Sequence, residues 1–146
     1  MRRYQGAVLR QRGAARPKTC AGRYRLGDGG TRTASVTGGF LALAIACDRL
    51  VKEGVLARSP IKNYVAAVSA GIVDEQPMLD LCYEEDSSAQ VDLNCVMNDD
   101  GQLIEIQGTG EGRAFTVAEQ QALVALCQKG IQALIEKQRA VLEGLK

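Results

Sequence analysis

The sequence contains no histidine and no tryptophan. Histidine triads, histidine metal sites and imidazole acid–base catalysis are therefore excluded from this chain's own chemistry. Its five cysteines include no Cys-x-x-Cys pair, and the odd number does not suit a disulfide scaffold. Reduced thiols packed as small core residues, in a cytoplasmic protein, are the simplest expectation. No uninterrupted apolar run approaches the roughly 20 residues of a membrane helix, so no membrane partner is expected. There is no Gly-Lys-Ser/Thr ending of a Walker loop, no internal repeat and no low-complexity tract.

What is present is an ordinary globular composition. The chain has 146 residues, 46% hydrophobic and 24% charged, with a net charge of +1. That length suits one domain or slightly less. The small net charge hides two unlike pieces. Residues 1–26 hold eight basic residues and no acid, leaving 10 basic residues against 17 acidic ones after them. Residues 1–27 form a basic leader without hydrophobic period, interrupted by Pro17 and glycines. It reads as a flexible RNA-binding arm, an Arg-rich transit peptide, or a non-native start to a truncated chain, produced by a shifted frame, a gene break or a mis-assigned start. The last is the reading taken here.

Beyond the leader the pattern predicts a helix, four strands and a second helix. Val36, Phe40, Leu43, Cys47 and Leu50 recur at helical spacing, with Gly54 as the stop. Residues 64–73 read as a central strand buried on both faces. Asp74–Pro77 reads as a four-residue hairpin loop, and 78–83 as the returning strand. Val91, Leu93, Cys95 and Met97 alternate with Asp92 and Asn94, which places the two polar residues on the opposite face. Asn98-Asp99-Asp100-Gly101 is a hairpin turn, followed by a strand over 103–107 and a flexible loop over 108–112. Thr116 and Glu119 form a capping box for a helix whose Leu123, Cys127, Ile131, Leu134, Val141 and Leu145 share a face. The fold class is α+β, an antiparallel sheet with helices on one face.

Two constellations carry possible chemistry. Residues 27–35 (Gly-Asp-Gly-Gly-Thr-Arg-Thr-Ala-Ser) precede the first helix. Helix N-termini offer unpaired N–H groups and partial positive charge, and glycines let an anion approach. Thr31, Thr33 and Ser35 add hydroxyls, and Arg32 adds a planar fork suited to phosphate. An oxyanion site and an ordinary loop with a Thr or Ser cap stand level on this ground. The second constellation is Asp80, Asp86 and Asp92, with Glu84 and Glu85 between them. Paired carboxylates can hold Mg²⁺ or keep a proton for general acid work; a solvated acidic turn is the plainer alternative. Tyr83 and Phe115 read as packing residues rather than base-stacking platforms.

The run Asp28 to Ser35 resembles the phosphate-site signature of the ribonuclease PH family, the bacterial phosphorolytic 3′→5′ exoribonucleases. So do "PIKNYVAAVSAGIVDEQPMLDL" at 60–81, "YEEDSSAQVDLNCVM" at 83–97 and "LIEIQGTGEGRAFT" at 103–116. The resemblance covers residues 28–146 and is to the C-terminal portion of that enzyme. It implies a ribosomal protein S5 domain 2-like fold and a homo-oligomer, a hexameric ring of dimers. It implies removal of 3′-terminal nucleotides from tRNA precursors and other RNA, with inorganic phosphate as co-substrate and nucleoside diphosphates as products. By motif, Gly30, Thr31, Arg32 and Ser35 would bind phosphate, and Asp86 and Asp92 would be the catalytic acids and the ligands of Mg²⁺. Gln90 and Val91 depart from the family pattern, which has an acid and a Thr there. A catalytically impaired fragment, or a non-catalytic RNA-binding or assembly subunit, is the alternative to an enzyme.

Overall fold

The nine residues Val65–Val73 carry no charge and form the central strand β1, buried from Ala66 onward. The computed structural model describes residues 30–145. The expected basic leader, Cys20, and residues 27–29 of the glycine loop lie outside the described residues. Helix α1 (Thr31–Lys52) precedes β1; β2 (Gln76–Leu79), short helix α2 (Tyr83–Asp86), β3 (Val91–Asn98), β4 (Leu103–Gly110) and helix α3 (Val117–Glu143) follow it. The strands make one antiparallel sheet in the order β2-β1-β3-β4. The fold is α+β, of the ribosomal protein S5 domain 2-like type.

Alternation divides the sheet into two faces. Ala66, Val68, Ala70 and Ile72 of β1 and Val91, Leu93, Cys95 and Met97 of β3 pack against Leu123, Cys127, Ile131, Leu134 and Ile135 of α3. Helix α3 starts at the expected capping box. The Thr116 hydroxyl accepts the Glu119 N–H at 3.2 Å, and the Glu119 carboxylate accepts the Thr116 N–H at 2.7 Å. The guanidinium of Arg113, 2.7 Å from that carboxylate, helps hold Glu119 down at about 2. On the other face, Leu81 lies over Gly71, where a Cβ would stand 2.7 Å from its Cδ1.

Several expectations need correction. The first hairpin loop is two residues, not four: Asp74 and Glu75 both take positive φ, 50° and 60°, and Pro77 sits inside the edge strand β2, which can do without its N–H. The Gln90 amide holds this turn, accepting from the Glu75 N–H and donating to its carboxylate. Strand β2 ends at Leu79, and Tyr83 begins a helical turn with 55% of its surface exposed instead of closing the strand. Strand β4 runs on through Gly110 where a flexible loop was expected, because Thr109 and Gly110 pair with Asp92 and Val91. At the end of α3, Val141 and Leu145 are exposed, and Gln138 is buried instead.

Helix α1 departs furthest from its apolar pattern. Its buried residues are Thr33, Thr37, Ala44 and Cys47, while Leu43 is 58% and Leu50 37% exposed. By length and composition α1 could cross a bilayer, yet here it is bonded to the sheet. Strand β2 pairs with β1 only from Ala70 to Val73, whereas β3 pairs with it from Val65 to Ile72. The remaining edge of β1 is finished by side chains. The Thr37 hydroxyl accepts the Ala67 N–H at 3.0 Å and donates to the Ala67 carbonyl at 3.2 Å. The buried Gln138 amide donates to the carbonyls of Val65 and Thr37, at 3.0 and 3.1 Å. Small residues and a hydroxyl bring a helix close to a strand edge, and Leu or Phe there would hold it off.

Replacing Thr37 with Val keeps the shape and leaves the Ala67 N–H buried without a partner. Thr37→Val is expected to lower unfolding stability by about 1–3 kcal/mol, and Thr37→Ser to recover most of it, as read by urea denaturation.

Candidate active site

The face of the sheet turned away from α3 is polar at its centre. Ser69 of β1 lies opposite Asn94 of β3, and Asn94 lies opposite Gln107 of β4. One step along, Gly71, Asp92 and Thr109 form the next cross-strand row. The start of α1 stands beside this face. A Cβ placed on Gly30 would lie 3.4 Å from the Ser69 hydroxyl, and Arg32 reaches β4, donating to Gln107 at 2.9 Å and pairing with the Glu105 carboxylate.

Gly30 is the N-cap of α1, with φ 80° and ψ 10° and no side-chain cap. The alternative of an ordinary Thr- or Ser-capped loop therefore does not describe this helix start. The first turn holds no acid, so no side chain within it offsets the positive end of the helix dipole. The Thr33 hydroxyl bonds back to the Gly30 carbonyl at 2.8 Å. Ser35 bonds back to the Thr31 carbonyl at 2.7 Å, one turn up the exposed surface. Gly30, Thr31 and Arg32 thus lie at one helix end, as the motif implied. Ser35 turns its hydroxyl to the helix backbone.

The carboxylates converge on Asp92. It is half-buried; its Oδ2 accepts from Asn94 at 3.0 Å, and its buried Oδ1 has no hydrogen-bond partner among the described residues. Burial pushes its carboxyl above the usual carboxylate range, and the charges of Asp86 and Glu111 push it further. Asp86 ends α2, one short connection before β3. Glu111 is brought in because its N–H and that of Gly112 bond the Gln90 carbonyl, at 3.0 and 3.1 Å. Asp80 stands apart from this group: it takes a left-handed φ of 59° and continues the β1–β2 ladder through its N–H to Ser69.

Among the described residues, no three carboxylates or thiols lie close enough together to cage a metal ion. Mg²⁺ does not require such a cage, since it commonly uses one or two carboxylates and fills its shell with water and phosphate oxygen. The unpartnered Oδ1 of Asp92, with Asp86 in electrostatic reach, fits that mode of binding. The group as a whole sets a cationic helix end beside a carboxyl that holds its proton more tightly than usual. That combination can bind an oxyanion and supply a proton or metal charge near it.

The pattern of residues did not reveal Ser69, Glu105, Gln107 or Glu111 as parts of this face. Asn94 was visible as a partner of Asp92 by alternation alone.

The raised Asp92 has a consequence for stability. A carboxyl whose folded pKa exceeds its unfolded value binds more protons when folded, so stability falls as pH rises through that window. Asp92→Asn removes the penalty. The variant is expected to be more stable than the parent chain at pH 7, with the difference closing as pH is lowered to about 4, measured by paired urea titrations.

Residues 63–130 match the family described as 3′ exoribonuclease family, domain 2. Ribonuclease PH of Bacillus velezensis is 53% identical over 116 residues, covering 79% of this chain and 47% of the relative. Ribonuclease PH of Neisseria gonorrhoeae is 55% identical over 115 residues, covering 79% and 48%. The chain thus spans about half the length of the curated relatives it matches. A chain of an archaeal exosome core aligns with a TM-score of 0.48 at 21% identity, over 56% of this chain and 32% of that one. Residues 63–130 therefore belong to domain 2 of the 3′ exoribonuclease family, and the wider chain is similar to the C-terminal portion of ribonuclease PH.

Proposed function

We propose that the chain provides the phosphate and carboxylate site of a phosphorolytic 3′→5′ exoribonuclease, acting on the 3′ ends of tRNA precursors and other RNA in the cytoplasm. The observation that carries this reading is the placement of the uncapped start of α1, with Arg32, beside the sheet face that holds Asp92, whose buried Oδ1 has no partner among the described residues.

Phosphorolysis asks for positioning and charge neutralisation more than for a protein nucleophile. Inorganic phosphate would sit at Gly30, Thr31 and Arg32. One of its oxygens attacks the phosphorus of the last phosphodiester. The bond from that phosphorus to the 3′-oxygen of the penultimate nucleotide breaks, and the terminal residue leaves as a nucleoside diphosphate. The departing 3′-oxygen needs a proton, which a protonated Asp92 can donate; phosphate or water then restores it. A Mg²⁺ held by Asp86 and Asp92 would instead supply positive charge to the same region. No step needs histidine.

Association of chains is part of the proposal, with the family's homo-oligomer, a hexameric ring of dimers, as the expected form. What supports it is exposed apolar surface: Leu103, Ile104 and Ile106 along β4, and Leu43, Ile45 and Leu50 along α1. Apolar patches and open sheet edges of this kind favour contact with another chain.

The test is phosphate-dependent release of nucleoside diphosphates from a tRNA with extra 3′ nucleotides. Arg32→Ala and Asp92→Asn are each expected to slow release by about a hundredfold or more. No release at any phosphate or Mg²⁺ concentration, or release indifferent to both substitutions, would overturn the reading.

A further inference from the structure

We propose that the Ser69 hydroxyl is a direct hydrogen-bond donor to the phosphate bound at the start of α1. This rests on the phosphate site above and adds to it a residue from the middle of the sheet.

Ser69 is 2% exposed, and its hydroxyl has no hydrogen-bond partner among the described residues. Buried hydroxyls are nearly always bonded, and leaving one unbonded is costly. The backbone around it shows no such gap, since the Ser69 carbonyl accepts the Asp80 N–H at 2.8 Å. Packing alone gives no reason for a hydroxyl here. The neighbours along β1 are Ala67, Val68, Ala70 and Gly71, all without polar side chains, and alanine would fill the position without an unpaired group. By contrast, the buried Thr37 hydroxyl both accepts from and donates to the Ala67 backbone, completing the edge of β1.

The hydroxyl faces the start of α1, which has no side-chain cap and no acid in its first turn. It lies 3.4 Å from the point a Cβ on Gly30 would occupy, and the Thr33 hydroxyl lies at the same distance from that point. Gly30 leaves this point open. The positive φ of Gly30, 80°, also disfavours any residue with a side chain. The Thr33 hydroxyl is committed to the Gly30 carbonyl, so Ser69 is the hydroxyl still free to donate. Across the sheet from Ser69 run Asn94 and then Gln107, the residue that holds Arg32. The guanidinium and the hydroxyl are thus set at two ends of one cross-strand row. An oxyanion at the helix start would meet Arg32 from the β4 side and Ser69 from the β1 side, which fixes its orientation as well as its place.

The experiment is titration calorimetry of the full chain with inorganic phosphate, without RNA. It compares the parent, Ser69→Ala and Arg32→Ala, each with a urea unfolding curve. Ser69→Ala is expected to weaken phosphate binding by about tenfold, the loss of one hydrogen bond to a charged acceptor, with its urea midpoint unchanged or raised. Ser69→Cys, of similar size but a weak donor, is expected to bind as poorly as Ser69→Ala. Unchanged phosphate affinity in Ser69→Ala overturns the inference. So does a lowered urea midpoint in Ser69→Ala, which would show the hydroxyl already bonded inside the protein. If the parent binds phosphate and Arg32→Ala weakens it while Ser69→Ala does not, only this inference fails. If the parent binds no phosphate, the functional reading fails with it.

Discussion

The structure depends on how the unfinished edge of β1 is satisfied. β2 covers only the last part of that strand, so the backbone groups of Val65 and Ala67 must find partners elsewhere. Buried backbone groups tolerate no other outcome. Thr37 and Gln138 supply those partners, and in doing so they fix α1 and α3 to the same strand. The position of α1 then follows. With Thr37 held against Ala67, the start of the helix at Gly30, about two turns earlier, comes to lie beside Ser69 and the polar face. The site is thus a product of edge completion: the helix is placed by a hydrogen-bond requirement, and its N-terminus is delivered to the sheet as a result.

Electrostatics complete the arrangement. At one side, an uncapped helix start and Arg32 offer positive charge. At the other, Asp92, Asp86 and Glu111 crowd negative charge against a half-buried position. Glu105 draws Arg32 onto β4, so the guanidinium is oriented before any ligand arrives. This Arg–carboxylate pair is exposed enough to add little stability. Its effect is on where the fork points. The paired Glu75, Arg113 and Glu119 at the far end of the sheet do comparable positioning work for the start of α3 and the loop that carries Glu111.

Much of the fold was legible because alternation and capping are local. β1 stood out through its unbroken Val and Ala run, β3 through the alternation that set Asp92 and Asn94 opposite its apolar residues, and α3 through Thr116 and Glu119. The errors arose where distant partners decide. The stripe from Val36 to Leu50 was only partly right for α1: Cys47 is buried, but Leu43 and Leu50 are exposed, because a strand edge selected Thr33, Thr37 and Ala44 for close approach. The end of β4 read as loop from its glycines, yet register with β3 extends it. In the candidate site, Gly30, Thr31 and Arg32 were visible as a local run before the helix. Ser69 was hidden inside an apolar strand, and Glu105, Gln107 and Glu111 join the group only through cross-strand pairing. No periodicity announces such residues.

The completed edge also shapes how the chain folds. The two hairpins, β1–β2 and β3–β4, close between near neighbours, which is the fast part of sheet assembly. The bonds from Thr37 to Ala67 and from Gln138 to Val65 join positions 30 and 73 residues apart, so they carry a larger loop-closure cost and come late. Until both helices dock, one side of β1 is an open row of donors and acceptors along an apolar strand. Such an edge is a template for pairing with another molecule. Docking of the two helices is therefore also what closes the strand at the centre of the fold to other chains, and the helix that carries Arg32 at its start is one of the two elements that end that exposure.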